Sequence, residues 1–164
     1  EYYFVKTVEF KAMIKNGDFI EYAEVFGNFY GSPKKDIQKL IECGKDVIFD
    51  VDWQGGTQIR NSNLASSVVS IFILPPSIGA LEERLLSRAQ DDKSIVDFRM
   101  LEARSEISHW AEYDYVLIND NFSRVKDSIV KIIETEKMRR QRQLTLPNFI
   151  ADLNDEFDVI KNKI

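Results

Sequence analysis

The chain has 164 residues, 44% hydrophobic and 30% charged, with a formal net charge of −5 and a pI of about 5.0. These proportions fit one globular domain with a sizeable core. The acidic balance argues against nucleic-acid and membrane partners, which need a basic face. It leaves room for a nucleotide, which needs only a few local cations. The longest apolar stretch, Val68 to Pro76, is too short to span a bilayer. The first residues carry no basic region or small-residue cleavage site, so they do not read as a signal peptide. Cys43 is the only cysteine, which fits a reducing cytoplasm and the role of a helix-packing residue. His109 is the only histidine, which excludes a His-rich metal site and a Ser-His-Asp triad and leaves a packing or capping role.

In chain order, Thr7 to Asn16 predicts a short amphipathic helix stopped by Gly17. Asp18 to Tyr30 predicts a β-hairpin turning at Gly27-Asn28, and Pro33 to Cys43 a helix with Ile37, Leu40 and Ile41 inward and Gly44 after it. Asp46 to Asp52 is a β-branched and aromatic run bracketed by acids, expected as a buried strand. Gln54-Gly55-Gly56 then predicts a tight turn into a helix through Arg60. Val68 to Leu74 is a second expected strand, followed by Ser77 as cap of a helix Ile78 to Arg88. After a polar break at Gln90 to Lys93 come a helix Ser94 to Glu112, a strand Tyr115 to Ile118 and a helix Phe122 to Gln143. Pro147 is read as the stop, with a small helix from Asn148 to Ile164. Phe4 and Phe19 are expected in the core, and the basic run Met138 to Arg142 as a complement to a helix dipole. Strands alternating with helices after Gly44 predict an α/β fold with a parallel sheet. Ligands of such sheets bind at the C-terminal strand ends, here Asp50, Asp52 and Asn119.

Three groups of residues have the types that chemistry needs. Asp50 and Asp52 are two apart on a strand and point to one side. Such a pair can serve a magnesium ion through water or accept from an amino group; it can equally cap a helix or be solvated. Arg84 and Arg88 share a helix face, and Arg99 and Arg104 lie on the next helix. Bidentate guanidinium groups suit phosphate oxygens, although Glu82, Glu83 and Asp97 also allow a merely solvated charged face. Glu21, Tyr30 and Ser32, with Tyr2, form a polar set among aromatics. A carboxylate accepts two hydrogen bonds at once, the pair that guanine N1–H and N2–H2 offer and adenine does not. Facing adenine it would stay unpaired, a difference of about 2–4 kcal/mol.

The order of these pieces resembles guanylate kinase. Tyr2-Tyr3-Phe4-Val5, Phe10 to Ile14, Phe19 to Ala23 and Gly27 to Pro33 are similar to that family's GMP-binding half. Asp50 to Gly56 resembles its acidic strand end and Gln-Gly turn, and Ile71 to Ser77 its next strand. Arg84 to Arg88, Arg99, Tyr113 to Val116 and Asn119-Asp120 resemble the lid and the adenine-side loop. The likeness runs from Tyr2 to Gln143, and the tail from Leu144 resembles an extension of some bacterial members.

The resemblance implies a P-loop NTPase-like parallel sheet flanked by helices, with a GMP-binding hairpin insertion and a helical lid. Residues 1–33 would be a partial GMP-binding subdomain, 34–143 the core with its lid at about 84–104, and 144–164 a helical extension. The implied reaction transfers a phosphoryl group from ATP to GMP with Mg2+, in a cytoplasmic monomer or homodimer without nucleic-acid or membrane partners. It implies that Glu21 reads the guanine edge with Asp52 assisting at the base or metal, and that Ser32 lies beside the base. Tyr2 and Tyr30 would donate to the GMP phosphate, Arg88 and Arg99 with Arg84 would stabilise the transferring group, and Asn119 would lie near adenine. Asp50 would be a more distant acid.

Two local departures are Ala89, where the lid normally has Gly, and Asp120-Asn121, where an acidic pair is usual. The larger one is that no Gly-x-x-x-x-Gly-Lys-[Ser/Thr] occurs in the 164 residues, nor the family's arginines for the GMP phosphate ahead of Tyr2. That segment includes a strand inside the sheet, so the expectation is a part of a longer chain, inactive by itself. The competing reading is a catalytically dead guanylate-kinase-like module that binds proteins; the retained Glu21, Tyr30, Ser32, Asp52, Arg88 and Arg99 speak against it. A kinase of another monophosphate would need a non-carboxylate at position 21.

Overall fold

The computed structural model describes residues 3–25, 27–88 and 93–161. Tyr2, Ala89 and the polar break at Gln90 to Asp92 lie outside the described residues, as do positions 162–164. In chain order the elements are α1 (Thr7–Asn16), β1 (Phe19–Val25), β2 (Asn28–Pro33), α2 (Lys34–Glu42) and α3 (Trp53–Arg60). Then follow β3 (Ile71–Leu74), α4 (Ile78–Arg88), α5 (Lys93–Ile107), β4 (Tyr115–Ile118), α6 (Phe122–Lys137) and α7 (Leu146–Lys161). The chain divides into two compact units, residues 1–72 with 82–116 and residues 73–81 with 117–164.

In the first unit, α1 ends as its sequence predicts. Gly17 takes a left-handed φ of 71° and bonds to Ile14 O, while Asp18 N reaches back to Met13 O. Gly44 repeats the device after α2, with φ 72°. Phe10 buries itself against Phe19, ring centroids 4.5 Å apart, and Phe29 at 5.4 Å. A second cluster joins Ile20, Ile37 and Ile59, with Val47, Phe49, Leu64 and Val68 packed on it.

The hairpin β1–β2 is antiparallel and not regular. Phe19 pairs with Pro33 but Glu21 pairs with Ser32, so Ile20 is an extra residue in β1, a β-bulge. The bulge explains why Phe19, Ile20 and Glu21 are all buried in succession, where alternation would turn one of them to solvent.

Several expectations need correcting. Asp46 to Asp52 is not a buried strand. Among the described residues no strand takes its backbone groups, so the run stays a connection, with Val47 and Phe49 on the core and Ile48 82% exposed. Gln54-Gly55-Gly56 is not a turn but the first turns of α3, because the Asp52 carboxylate caps the helix two residues earlier than the glycines suggest. Leu40 and Ile41 sit at the exposed margin, Cys43 is exposed at the end of α2, and Phe4 is 95% exposed.

The sheet of β3 and β4 is parallel: Ser70 O accepts from Tyr115 N, and Leu74 O from Asn119 N, both pairs advancing together. Its entrance is locked by Asp114, whose Oδ2 accepts from Ser70 N at 2.8 Å and from Ser70 Oγ at 2.7 Å. Ser77 Oγ accepts from Ala80 N at the start of α4, the expected cap.

In the second unit α6 buries Val125 and Ile132 but ends at Lys137, short of the expected Gln143. The buried Glu136 carboxylate explains the stop. It accepts from Arg139 at 3.2 Å and pairs with Arg142 at 3.4 Å, folding the basic run back as a 3-10 turn. The run thus binds a specific acid and not only a helix dipole. Pro147 does not stop a helix; it sits in the first turn of α7, where its missing N–H costs nothing.

Candidate active site

The bulge in β1 decides the geometry around Glu21. With regular pairing Glu21 would oppose Gly31; the extra residue moves it opposite Ser32. Ser32 Oγ donates to Glu21 Oε1 at 2.6 Å, and the Glu21 residue is only 6% exposed. A carboxylate this buried needs fixed donors. Tyr30, two residues before Ser32, lies on the same face of β2 and is half exposed.

The other wall is the N-terminus of α3. Asp52 Oδ1 accepts from Gly55 N at 2.8 Å, closing the helix cap. A Cβ on Gly55 would stand 3.3 Å from Glu21 Oε2 and 3.0 Å from Val51 Cβ, so a side chain there would push on the carboxylate. Glu21 and Asp52, from segments 31 positions apart, therefore meet at one helix turn. Asp50 is exposed on the connection leading to it.

Helix α5 brings a carboxylate that the sequence reading missed. Burial first, then the charges of Asp52 and Glu102, raise the Glu106 carboxyl above the ordinary carboxylate value. Glu106 is seven residues after Arg99 and four after Glu102, so the three share a helix face. That spacing was the available signal. Arg99 is partly buried on α5, Arg84 is exposed on α4, and Arg104 is exposed farther along α5. Arg88 ends α4, its side chain lying outside the described residues.

The base of α5 is tied to α3 by a cluster of Trp53, Thr57, Arg60, His109, Glu112 and Tyr113. His109 stacks on Trp53 at 3.8 Å with planes 7° apart and meets Glu112 through Nδ1. Arg60 reaches Glu112 at 2.9 Å and Thr57 Oγ1 at 3.0 Å, and its guanidinium lies 4.5 Å over the Tyr113 ring. The His109 hydrogen bond above all, with the charges of His109 and Arg60, lowers the Glu112 carboxyl. The expected packing role of His109 is realised here. Asn119 belongs to the second unit, its N–H on Leu74 O at the end of β3. No group of three or more metal-ligating side chains occurs among the described residues. None of the helices there is long and apolar enough to cross a membrane.

Comparison with known proteins places the chain in a family. The guanylate kinase family model matches residues 1–136. A guanylate kinase of Cereibacter sphaeroides is 52% identical over 158 residues, covering 96% of this chain and 75% of that protein. One from Ruegeria pomeroyi is 49% identical, with 96% and 74% covered. Among solved structures, guanylate kinase from Anaplasma phagocytophilum superposes with a TM-score of 0.75 at 37% identity, covering 92% of this chain and 73% of that one. The fold is accordingly α/β of the P-loop NTPase kind, and the chain belongs to the guanylate kinase family.

Proposed function

We infer that the chain acts in the transfer of the γ-phosphoryl group of ATP to the 5′-phosphate oxygen of GMP, giving ADP and GDP. The observation that carries the substrate reading is the buried Glu21 carboxylate, held by Ser32 at 2.6 Å against the first turn of α3. A carboxylate so fixed accepts from guanine N1–H and N2–H2, whereas adenine would set a lone pair against it. Asp52 assists at the same base edge or at the metal, with Ser32 beside the ring. Tyr30 and Tyr2 donate to the GMP phosphate, and Arg84, Arg88 and Arg99 stabilise the charge on the transferring group. Asn119 stands on the adenine side. Phosphoryl transfer relies on positioning and charge stabilisation, so no general base is needed.

Magnesium supplied with ATP would neutralise charge on the phosphates. The residues present fit an outer role. Asp52 gives Oδ1 to its helix cap, which suits contact through water, and Asp50 stands farther back. The same reading takes the enzyme as cytoplasmic, and as a monomer or homodimer without nucleic-acid or membrane partners. Nothing in the site or the relatives favours the protein-binding module.

The test compares phosphorylation of GMP and AMP by the intact protein and its Glu21→Gln variant. A strong preference for GMP that falls by about 30-fold or more in Glu21→Gln is expected, from the loss of a charge-assisted pair worth about 2–3 kcal/mol. An undiminished preference in the variant overturns the assignment.

A further inference from the structure

We propose that Gln58 is a positioning residue for base recognition, its side-chain amide clamping the Tyr22 backbone and thereby fixing the neighbouring Glu21 carboxylate on α3. Tyr22 N–H donates to Gln58 Oε1 at 3.1 Å, and Gln58 Nε2 donates to Tyr22 O at 2.9 Å. A strand residue facing an open sheet edge presents just this donor and acceptor, normally satisfied by the next strand. Here one planar amide replaces that strand.

The placement gives the clamp its consequence. Gln58 is three residues after Gly55, on the same face of α3. Gly55 is where Glu21 Oε2 makes its close approach, and Tyr22 is the residue after Glu21. Two consecutive residues of β1 are thus fixed on two consecutive turns of one helix. The fixing is needed because the bulge at Ile20 interrupts the β1–β2 ladder immediately before Glu21. Ser32 can set the carboxylate's rotamer, but Ser32 is itself on the hairpin and moves with it. Gln58 ties the Tyr22 backbone directly to the helix that Asp52 caps.

The inference rests on Glu21 being the base-reading group, and the experiment separates the two. In the intact protein, Gln58→Met keeps the length of the side chain and removes both hydrogen bonds. Gln58→Glu keeps the acceptor and loses the donor. The measurements are kcat, KM for GMP, KM for ATP and the melting temperature, with Glu21→Gln alongside. Gln58→Met is expected to raise KM for GMP by about tenfold, the loss of two accessible hydrogen bonds, with kcat and KM for ATP within about twofold. Gln58→Glu is expected to fall between, at about threefold.

An unchanged KM for GMP in Gln58→Met, or equal rises for both substrates, overturns the proposal, because general loosening would not select one substrate. Should Gln58→Met not fold, Gln58→Glu carries the same comparison. Loss of GMP preference in Glu21→Gln together with native GMP binding in Gln58→Met sinks the clamp alone. Retained preference in Glu21→Gln sinks both.

Discussion

Asp52 combines two roles that a pair of substitutions can separate. Its Oδ1 accepts from Gly55 N at 2.8 Å and caps α3, and its charge is one of the causes that raise the Glu106 carboxyl. Asp52→Ala removes the cap, which costs about 1 kcal/mol. For a chain of this size that is a fall of about 2–4 °C in melting temperature. Asp52→Asn keeps the cap, since Asn serves that position as well as Asp. It also relieves the repulsion on Glu106, so it should melt no lower than the native protein. If the carboxylate acts at the guanine edge or on metal-bound water, Asn loses a charge-assisted hydrogen bond of about 1.5–3 kcal/mol, roughly 10- to 100-fold in kcat/KM for GMP. Melting curves at pH 7 and a coupled assay of ADP release read the two effects independently. Native kcat/KM in Asp52→Asn would refute the catalytic-site role and leave a cap. A melting temperature as low as that of Asp52→Ala would refute the cap.

Two further outcomes follow from packing and from charge. In Gly31→Ala the new Cβ would stand 2.9 Å from Phe19 Cδ1 and 3.1 Å from Phe10 Cζ, two buried rings already stacked. Overpacking of this kind costs about 1–3 kcal/mol, read as an earlier urea midpoint, and an unchanged midpoint would show that the rings yield freely. The Glu106 carboxyl binds its proton more tightly folded than unfolded, so it favours the fold in acid and opposes it as pH rises from its ordinary value through the raised one. Glu106→Gln should therefore raise the melting temperature at pH 7 and lose that gain near pH 4; a loss of stability at pH 7 would contradict the crowding of carboxylates.

Local pattern carried most of the elements. The glycine stops after α1 and α2, the hairpin, the Ser77 cap and the parallel pair β3–β4 all follow from residues within one turn or one strand. Failures arose where a distant partner decides. Asp46 to Asp52 has the composition of a strand, but a strand exists only where another takes its hydrogen bonds, and composition cannot say whether one does. The end of α6 was hidden for a similar reason: Arg139 and Arg142 turn back because Glu136 is buried, and burial is a tertiary fact.

The candidate site shows the same division at finer scale. Glu21, Ser32 and Asp52 were singled out by residue type and by the ordered resemblance to guanylate kinase, while the burial of Glu21 and its hydrogen bond from Ser32 belong to the structure alone. Its precision was not readable. One extra residue at Ile20 moves Glu21 from Gly31 to Ser32, and hairpin composition gives no sign of a bulge. Gln58 and the Arg60–Glu112 tie join residues 36 and 52 positions apart, beyond any helical or strand period. Type announces which groups can do the chemistry; tolerances of a few tenths of an ångström come from contacts between segments that sequence periodicity does not relate. The clamp at Gln58 is therefore a sharper probe of the site than its carboxylates, since changing it alters where Glu21 stands without altering what Glu21 is.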